Sequence, residues 1–311
     1  MSYLKGASYL ALTISTAMVP ATAFAQAADA TVDDGTIVVT ANKRTQNIND
    51  VGLTISALSS ETLERQKITS LADIAALVPG LQFSKSNTNT PVYTLRGVGV
   101  NENTLSIYPA VSVYLDQAPL PFPVMSSHTA FDLERIEVLK GPQGTLFGQN
   151  STGGAVNFIA AKPTETLTAG MNIGYGRFNQ IDGNAYISGA LAPGLTARLA
   201  VTALHSDDWQ YSTTRNDKLG KQEYYAGRLL LNWNAGDRVR FSLNLNGWID
   251  KSDPQAPQVA ARAVAAPPIA TAAELAVPIS PLDPRAADWT PGIYRPRSDR
   301  KMGQAILRGV I

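Results

Sequence analysis

Ser151, Asp132 and His128 are of the types that supply a nucleophile, an acid and a base, and they fall in one short stretch. Hydrolytic use of such a set needs the serine on a sharp strand-to-helix turn, with the pattern Gly-x-Ser-x-Gly around it. Gln149 occupies the first glycine position here, so the three residues read as structural ones. A phosphate cradle is the second chemistry to test. Gly148 and Gly153 have the glycine spacing of Gly-x4-Gly-Lys-[Ser/Thr], but Gly154-Ala155 stands where the lysine and hydroxyl belong. Gly97-Val-Gly99 starts a dinucleotide fingerprint that Glu102 breaks at its third glycine. The chain has no cysteine, and its two histidines, His128 and His205, lack ligand spacing. No metal, no cofactor and no enzymatic activity are therefore expected. A formal net charge of +1 gives no reason to expect a nucleic-acid partner.

The glycines themselves are the stronger signal. Arg135-Ile-Glu-Val-Leu-Lys140 alternates like a half-buried strand and runs into Gly141-Pro-Gln-Gly144, where a strand cannot continue. Gly148 and the pair Gly153-Gly154 bracket a polar turn before Ala155–Ala160 resumes an apolar strand. So many glycines suit a backbone that must turn tightly in a confined space. A glycine-rich turn in an ordinary β-protein is the plainer alternative.

The stretch Asp132–Pro163 resembles the end of the plug domain of TonB-dependent outer-membrane receptors. The residues that carry the resemblance are Arg135, Glu137, Val138, Lys140-Gly141-Pro142, Phe147-Gly148, Ser151, Gly153-Gly154 and Asn157. The words Val78-Pro-Gly-Leu81, Leu95-Arg-Gly97 and Val113-Tyr-Leu-Asp116 also occur in that domain, in this order. The likeness covers about Asn47–Pro163. Membership implies that two basic plug residues, here Arg96 and Lys140, lock the plug to acids on the wall of a barrel. Arg96 offers a bidentate fork and Lys140 a single point charge.

Along the chain, Met1–Ala25 has Lys5, an apolar core Ala7–Val19 and Ala23-Phe-Ala25, the three parts of a secretory signal peptide with its cleavage site. Residues 26–46 form a periplasmic extension. Within it Thr36-Ile37-Val38-Val39-Thr40-Ala41 is a β-branched run with little local reason to fold, and it is similar to the family's TonB box. Its use is β-augmentation, an extended segment adding to the sheet of TonB through main-chain hydrogen bonds; a first strand of the following domain is the alternative. Ser60 is placed to cap a helix over Glu61–Gln66, and Ser70-Leu-Ala-Asp73 has capping-box spacing for a second, stopped by Val78-Pro79-Gly80. Residues 47–163 make the plug domain.

After Pro163 the pattern changes. Leu167, Ala169, Met171, Ile173 and Tyr175 alternate with small and polar residues, and Ile181–Leu191, Leu195–His205, Tyr225–Asn234 and Val239–Ile249 repeat the period. Runs with one apolar and one polar face suit a barrel wall between lipid and a wet lumen, and no apolar run is long enough for a membrane helix. A soluble β-sandwich alternates similarly. Short connections alternate with long ones, as periplasmic turns do with extracellular loops. The longest, 252–303, holds nine of the chain's 19 prolines and reads mostly as linker. Gln304–Ile311 begins a sixth run. About six strands cannot close around a plug, so the reading of residues 164–311 is a partial barrel in a fragment or truncated product.

The fold class expected is an α+β plug domain followed by the first strands of an antiparallel transmembrane β-barrel, incomplete. The resemblance implies an outer-membrane receptor that actively takes up a scarce solute, most often a ferric siderophore, with TonB and outer-membrane lipid as partners. The rival readings are a passive channel or surface-binding protein, a non-transporting truncated product, and a secreted β-rich enzyme.

Overall fold

The structure, a computed structural model, describes residues 38–310 except 41–42, 45, 67, 69–70, 87, 102–107, 214–215, 237, 255, 257, 259–278, 280, 284 and 288–296. The signal-peptide segment, box residues Thr36, Ile37 and Ala41, and Ser70 lie outside the described residues. Ile37–Ile311 forms one compact unit.

The N-terminal domain is α+β. β1 (Val38–Val39) pairs antiparallel with β2 (Gln46–Asn47). β3 (Ile55–Ser59) leads into α1 (Ser60–Arg65), whose cap is Ser59 rather than Ser60; its hydroxyl accepts from the Thr62 amide at 3.4 Å. The helix starts one residue earlier than its sequence suggests because either serine can cap, and the end of β3 already holds Ser59 extended. α2 (Leu71–Leu77) turns Ile74 inward, and the backbone carbonyl of Val78 accepts from the Leu81 amide as the chain enters β4 (Leu81–Lys85). β4, β5 (Pro91–Leu95) and β6 (Val98–Gly99) form a small antiparallel sheet.

β7 (Val111–Leu115), β8 (Ala118–Leu120), β9 (Leu133–Lys140) and β10 (Gly154–Ala160) join β3 in a sheet ordered β3-β9-β10-β7-β8, in which β10 and β7 are parallel. β9 and β10 are buried along almost their whole length; β10 is an apolar run apart from Asn157, whereas β9 keeps its alternation, with Arg135 and Glu137 buried as an ion pair. Ile74, Val78, Leu95, Leu115, Ile136, Val156 and Phe158 make the core on one side of this sheet. Tyr114, Leu139, Phe147, Ala155 and Val39 make a second core on the other.

The C-terminal part is a second sheet of six antiparallel strands in the order β11-β12-β13-β16-β17-β19. These are β11 (Thr168–Gly176), β12 (Gln180–Ala192), β13 (Leu195–Ser206), β16 (Gln222–Asn234), β17 (Arg240–Asp250) and β19 (Arg300–Val310). The sixth strand begins at Arg300, four residues ahead of the run read from sequence, because polar Arg300 and Gln304 share its inward side. Between the strands, β14 (Gln210–Ser212), β15 (Lys218–Leu219) and β18 (Ala286–Ala287) form a small sheet that ties the 207–221 loop to the long loop. Leu219, Ala256 and Ala287 are buried together there, and the Gln210 side chain is bonded to both the carbonyl and the amide of Ala256. The linker reading of residues 252–303 is therefore too simple where the chain is described. Its register with β14 depends on contacts far apart in sequence.

The two faces of the six-stranded sheet are the reverse of a soluble sandwich. Leu167, Met171, Ile173 and Tyr175 on the outer face of β11 and its approach are 67–78% exposed, and Leu307 on β19 is 71% exposed. Polar Arg198, Arg228, Asn244 and Asp250 on the other face are buried against the N-terminal domain. An apolar face this extensive needs an apolar environment. The open sheet leaves β11 and β19 as its edges.

Candidate functional site

The glycine stretch does its work in the sharp return from β9 to β10. Gly154 has φ +143, and a Cβ there would lie 2.2 Å from the Leu139 carbonyl oxygen. Gly153 is confined between the Val98 carbonyl and Val111; a Cβ there would lie 3.1 Å from the Val98 carbonyl oxygen, a tight contact. Between them and Gly141-Pro142, the short helix α3 (Gly144–Phe147) ends at Gly148, which has positive φ. The Tyr114 hydroxyl donates to the Phe147 carbonyl beneath it, and the Ser151 hydroxyl to the Gly148 carbonyl at 2.7 Å. Ser151 is thus a brace for the turn.

Glu137 is the chemical centre of this turn. It is wholly buried on β9 and accepts from Arg135 Nε at 2.8 Å and Asn157 Nδ2 at 3.4 Å. Its carboxylate also takes the Thr40 amide at 2.7 Å and the Thr40 hydroxyl at 3.0 Å. Val39, beside it, is 0% exposed against Tyr114, Leu139 and Phe147, while Val38 is 41% exposed. Burying that valine contributes about 1.5–3 kcal/mol. The described middle of the Thr36–Ala41 run is therefore docked as a short strand on the domain.

Arg96 and Lys140 come together at the opposite rim of the turn. A Cβ at Gly141 would lie 4.0 Å from the Arg96 guanidinium. Burial, and then the Arg96 charge, lower the Lys140 pKa. Among the described residues neither side chain forms an ion pair with an acid.

Other residues hold the domain to the sheet, with the opposite polarity. Arg198 on β13 grips Asp132 through Nε at 2.8 Å and NH2 at 2.5 Å. Arg228 on β16 is 2% exposed and donates to the carbonyls of Phe131 (2.9 Å), Thr129 (3.2 Å) and Asp132 (3.3 Å). Asn244 donates to Asp116 at 2.6 Å, and Arg308 to the Asp116 carbonyl. His128 Nε2 lies 2.9 Å from Asp250 on β17, to which Arg300 also donates at 2.5 Å. Asp116, His128 and Asp132 all have positive φ, so strained backbone points them outward, where the sheet repays the strain. Sequence reasoning missed this seam. The available signal was a charged residue in mid-strand on the polar face, at Arg198 and Arg228. Asp132, His128 and Ser151 each have separate partners and form no triad.

His128 stacks on Tyr224 with 3.9 Å between ring centroids and faces Asp250, Arg300 and Lys85. Burial lowers its pKa, opposed by the hydrogen bond and charge of Asp250 and assisted by the charges of Lys85 and Arg300. A lowered folded pKa means that the unfolded chain binds the proton first, so stability is lost as pH falls through the unfolded value of about 6.5. The detergent-solubilised protein is expected to melt at lower temperature as pH drops from 7 to 5.5. His128→Gln should flatten that dependence; an unchanged slope in the variant would assign it elsewhere.

The chain matches the TonB-dependent receptor plug domain family over residues 47–155. Residues 47–155 are a TonB-dependent receptor plug domain. The pesticin receptor of Yersinia pestis is 29% identical over 69% of this chain and 32% of its own length. The vitamin B12 transporter BtuB of Vibrio vulnificus is 26% identical over 62% of the chain and 31% of its length. The chain thus spans about a third of these curated relatives. Among solved structures, the ferric yersiniabactin uptake receptor FyuA of Yersinia pestis has TM-score 0.68 at 19% identity, covering 83% of this chain and 38% of that one. The ferric-catecholate import receptor Fiu of E. coli, in its closed form, has TM-score 0.56 at 23% identity, covering 74% and 31%. The plug followed by antiparallel strands is the beginning of this fold, and the plug–sheet seam lies where a plug meets its barrel.

Proposed function

We propose that the chain belongs to an outer-membrane receptor that imports a scarce solute, a ferric siderophore in the first instance, by energy drawn from TonB. The observation that carries this reading is a plug domain seated on the polar face of a sheet whose other face is apolar and exposed. Relatives named for pesticin, vitamin B12 and ferripyoverdine support the class. The extension at residues 26–46 presents the box Thr36–Ala41 to TonB from the periplasmic side, after export directed by residues 1–25. Lipid of the outer membrane covers Leu167, Met171, Ile173 and Leu307. The protein does no covalent chemistry; the plug rearranges and the solute passes.

Substitutions at the chromosomal locus keep the protein in its natural context. Cells producing the receptor are expected to accumulate radiolabelled iron from a ferric chelate, and a protonophore is expected to abolish the accumulation while surface binding persists. Entry that continues without the proton gradient would make it a passive channel instead.

A further inference from the structure

The apolar outer face of the six-stranded sheet is not uniform. Gly227 on β16 pairs with Gly247 on β17, and Gly247 with Gly303 on β19, so three adjacent strands carry glycine at one level. Strand alternation turns this row outward, between Tyr225, Ile249 and Lys301 on one side and Leu229, Leu245 and Ala305 on the other. The result is an open, mostly apolar groove of about 580 Å³. Val201, opposite Gly227 on β13 and 47% exposed, closes one end of it. The fold demands only one of the three glycines. A Cβ at Gly247 would lie 2.7 Å from the Met302 carbonyl oxygen, but at Gly227 the nearest atom would be 3.9 Å away, and at Gly303 none lies within 4 Å. Neither Gly227 nor Gly303 has a positive φ. Glycine weakens a strand interior and often marks a place where something approaches the backbone closely.

Charge says what covers the groove. Its upper margin lies at the end of the sheet that carries the long loops, and two cations stand there. Lys301 lines the groove, and Lys251, next in the outward alternation after Ile249, is exposed. Among the described residues neither lysine forms an ion pair. Glu223, whose carbonyl accepts from the Lys251 amide at 2.8 Å, has its carboxylate on Lys221 Nζ at 2.8 Å, and Asp299 is exposed. We propose that the groove, with Lys251 and Lys301, binds one lipid of the outer leaflet that carries an anionic phosphate. Its acyl chain lies over the three glycines and its phosphate on the two lysines. The proposal rests on the outer-membrane reading and adds a particular lipid to the general cover of the apolar face. Any acyl chain satisfies a flat apolar wall, whereas a groove below two unpaired cations fits a head that bears negative charge. Barrel strands tilt by about 35–45°, so a groove that crosses them is inclined to the membrane and takes a chain entering from the interface. Tyr225, on the same margin, suits the headgroup level.

The test is native mass spectrometry of the receptor, purified in mild detergent from cells carrying its natural gene and titrated with three probes. Bisphosphorylated lipid A supplies both charge and chains, diacylglycerol the chains alone, and inorganic phosphate the charge alone. Saturable binding of one lipid A is expected, in preference to either of the others. Lys251→Gln/Lys301→Gln should weaken it about tenfold, since each cation near a membrane surface adds to the attraction. Gly227→Leu/Gly303→Leu should also weaken it, by filling the groove while both lysines remain. Heat-modifiable migration in gels checks that each variant is folded. If the leucine pair fails that check, Gly227→Ala/Gly303→Ala takes its place, with a smaller loss expected in the same direction. Equal binding of diacylglycerol, binding of phosphate in place of the lipid, or indifference of lipid A binding to either pair of substitutions would overturn the inference. The outer-membrane reading fails separately. A receptor recovered from outer membranes that shows no preference for lipid A refutes the lipid site alone, whereas recovery of the protein in the soluble fraction refutes that reading.

Discussion

A receptor carrying Val38→Pro is expected to bind its ligand at the wild-type level and to import none of it. On the proposed reading the box acts as an added strand, so its main-chain donors would be its chemistry. Proline removes one donor and fixes φ, which prevents pairing at that point. Position 38 is suited to the test because Val38 is exposed in the docked state, whereas Val39 is buried and Thr40 is tied to Glu137. Val38→Ala keeps the donor and should import normally, which separates loss of pairing from loss of a side chain. The docked arrangement also states what the partner must do. It has to replace two hydrogen bonds to a buried carboxylate and the burial of Val39 before it can pull. Import by Val38→Pro at the wild-type rate would show that Thr36–Ala41 is not the segment pulled.

Arg228→Ala is expected to unseat the plug. The substitution leaves the Phe131 carbonyl without a donor, takes the second donor from the carbonyls of Thr129 and Asp132, which keep the amides of Phe131 and Ala161, and removes the cation stacked at 4.5 Å on Phe131. The cost is about 1–3 kcal/mol for the one stranded carbonyl. Conductance through planar bilayers and protease sensitivity of the plug should both rise, with Arg228→Lys intermediate because it restores charge without the fork. We propose in addition that Arg96 and Lys140 act as the lock that the resemblance implies. Arg96 is exposed among the described residues, where an ion pair contributes only about 0–1 kcal/mol. The double variant Arg96→Ala/Lys140→Ala should therefore loosen the plug less than Arg228→Ala alone. The reverse order would move the main hold from the seam to the lock, and no change in the double variant would remove the lock.

The sequence by itself determined the domain type and the character of the second sheet. Glycine at 154 is required by a turn too tight for a Cβ and glycine at 153 is favoured by a close fit, and these demands are local enough to leave a readable motif. The alternation of Leu167, Ala169, Met171, Ile173 and Tyr175 survives in the structure as an exposed face, because a strand's period of two follows from its backbone alone. What only the tertiary structure decided is everything that joins distant segments. The Thr36–Ala41 run reads as a box, with a first strand as the alternative, and Glu137, 97 residues from Thr40, decides that its described part is docked. Ser59 rather than Ser60 caps α1 because β3 fixes the backbone before it. The hold of Arg198 and Arg228 on Thr129–Asp132 depends on left-handed backbone at Asp132. Nothing in the local sequence demands that conformation, because its cost is met by partners from another sheet.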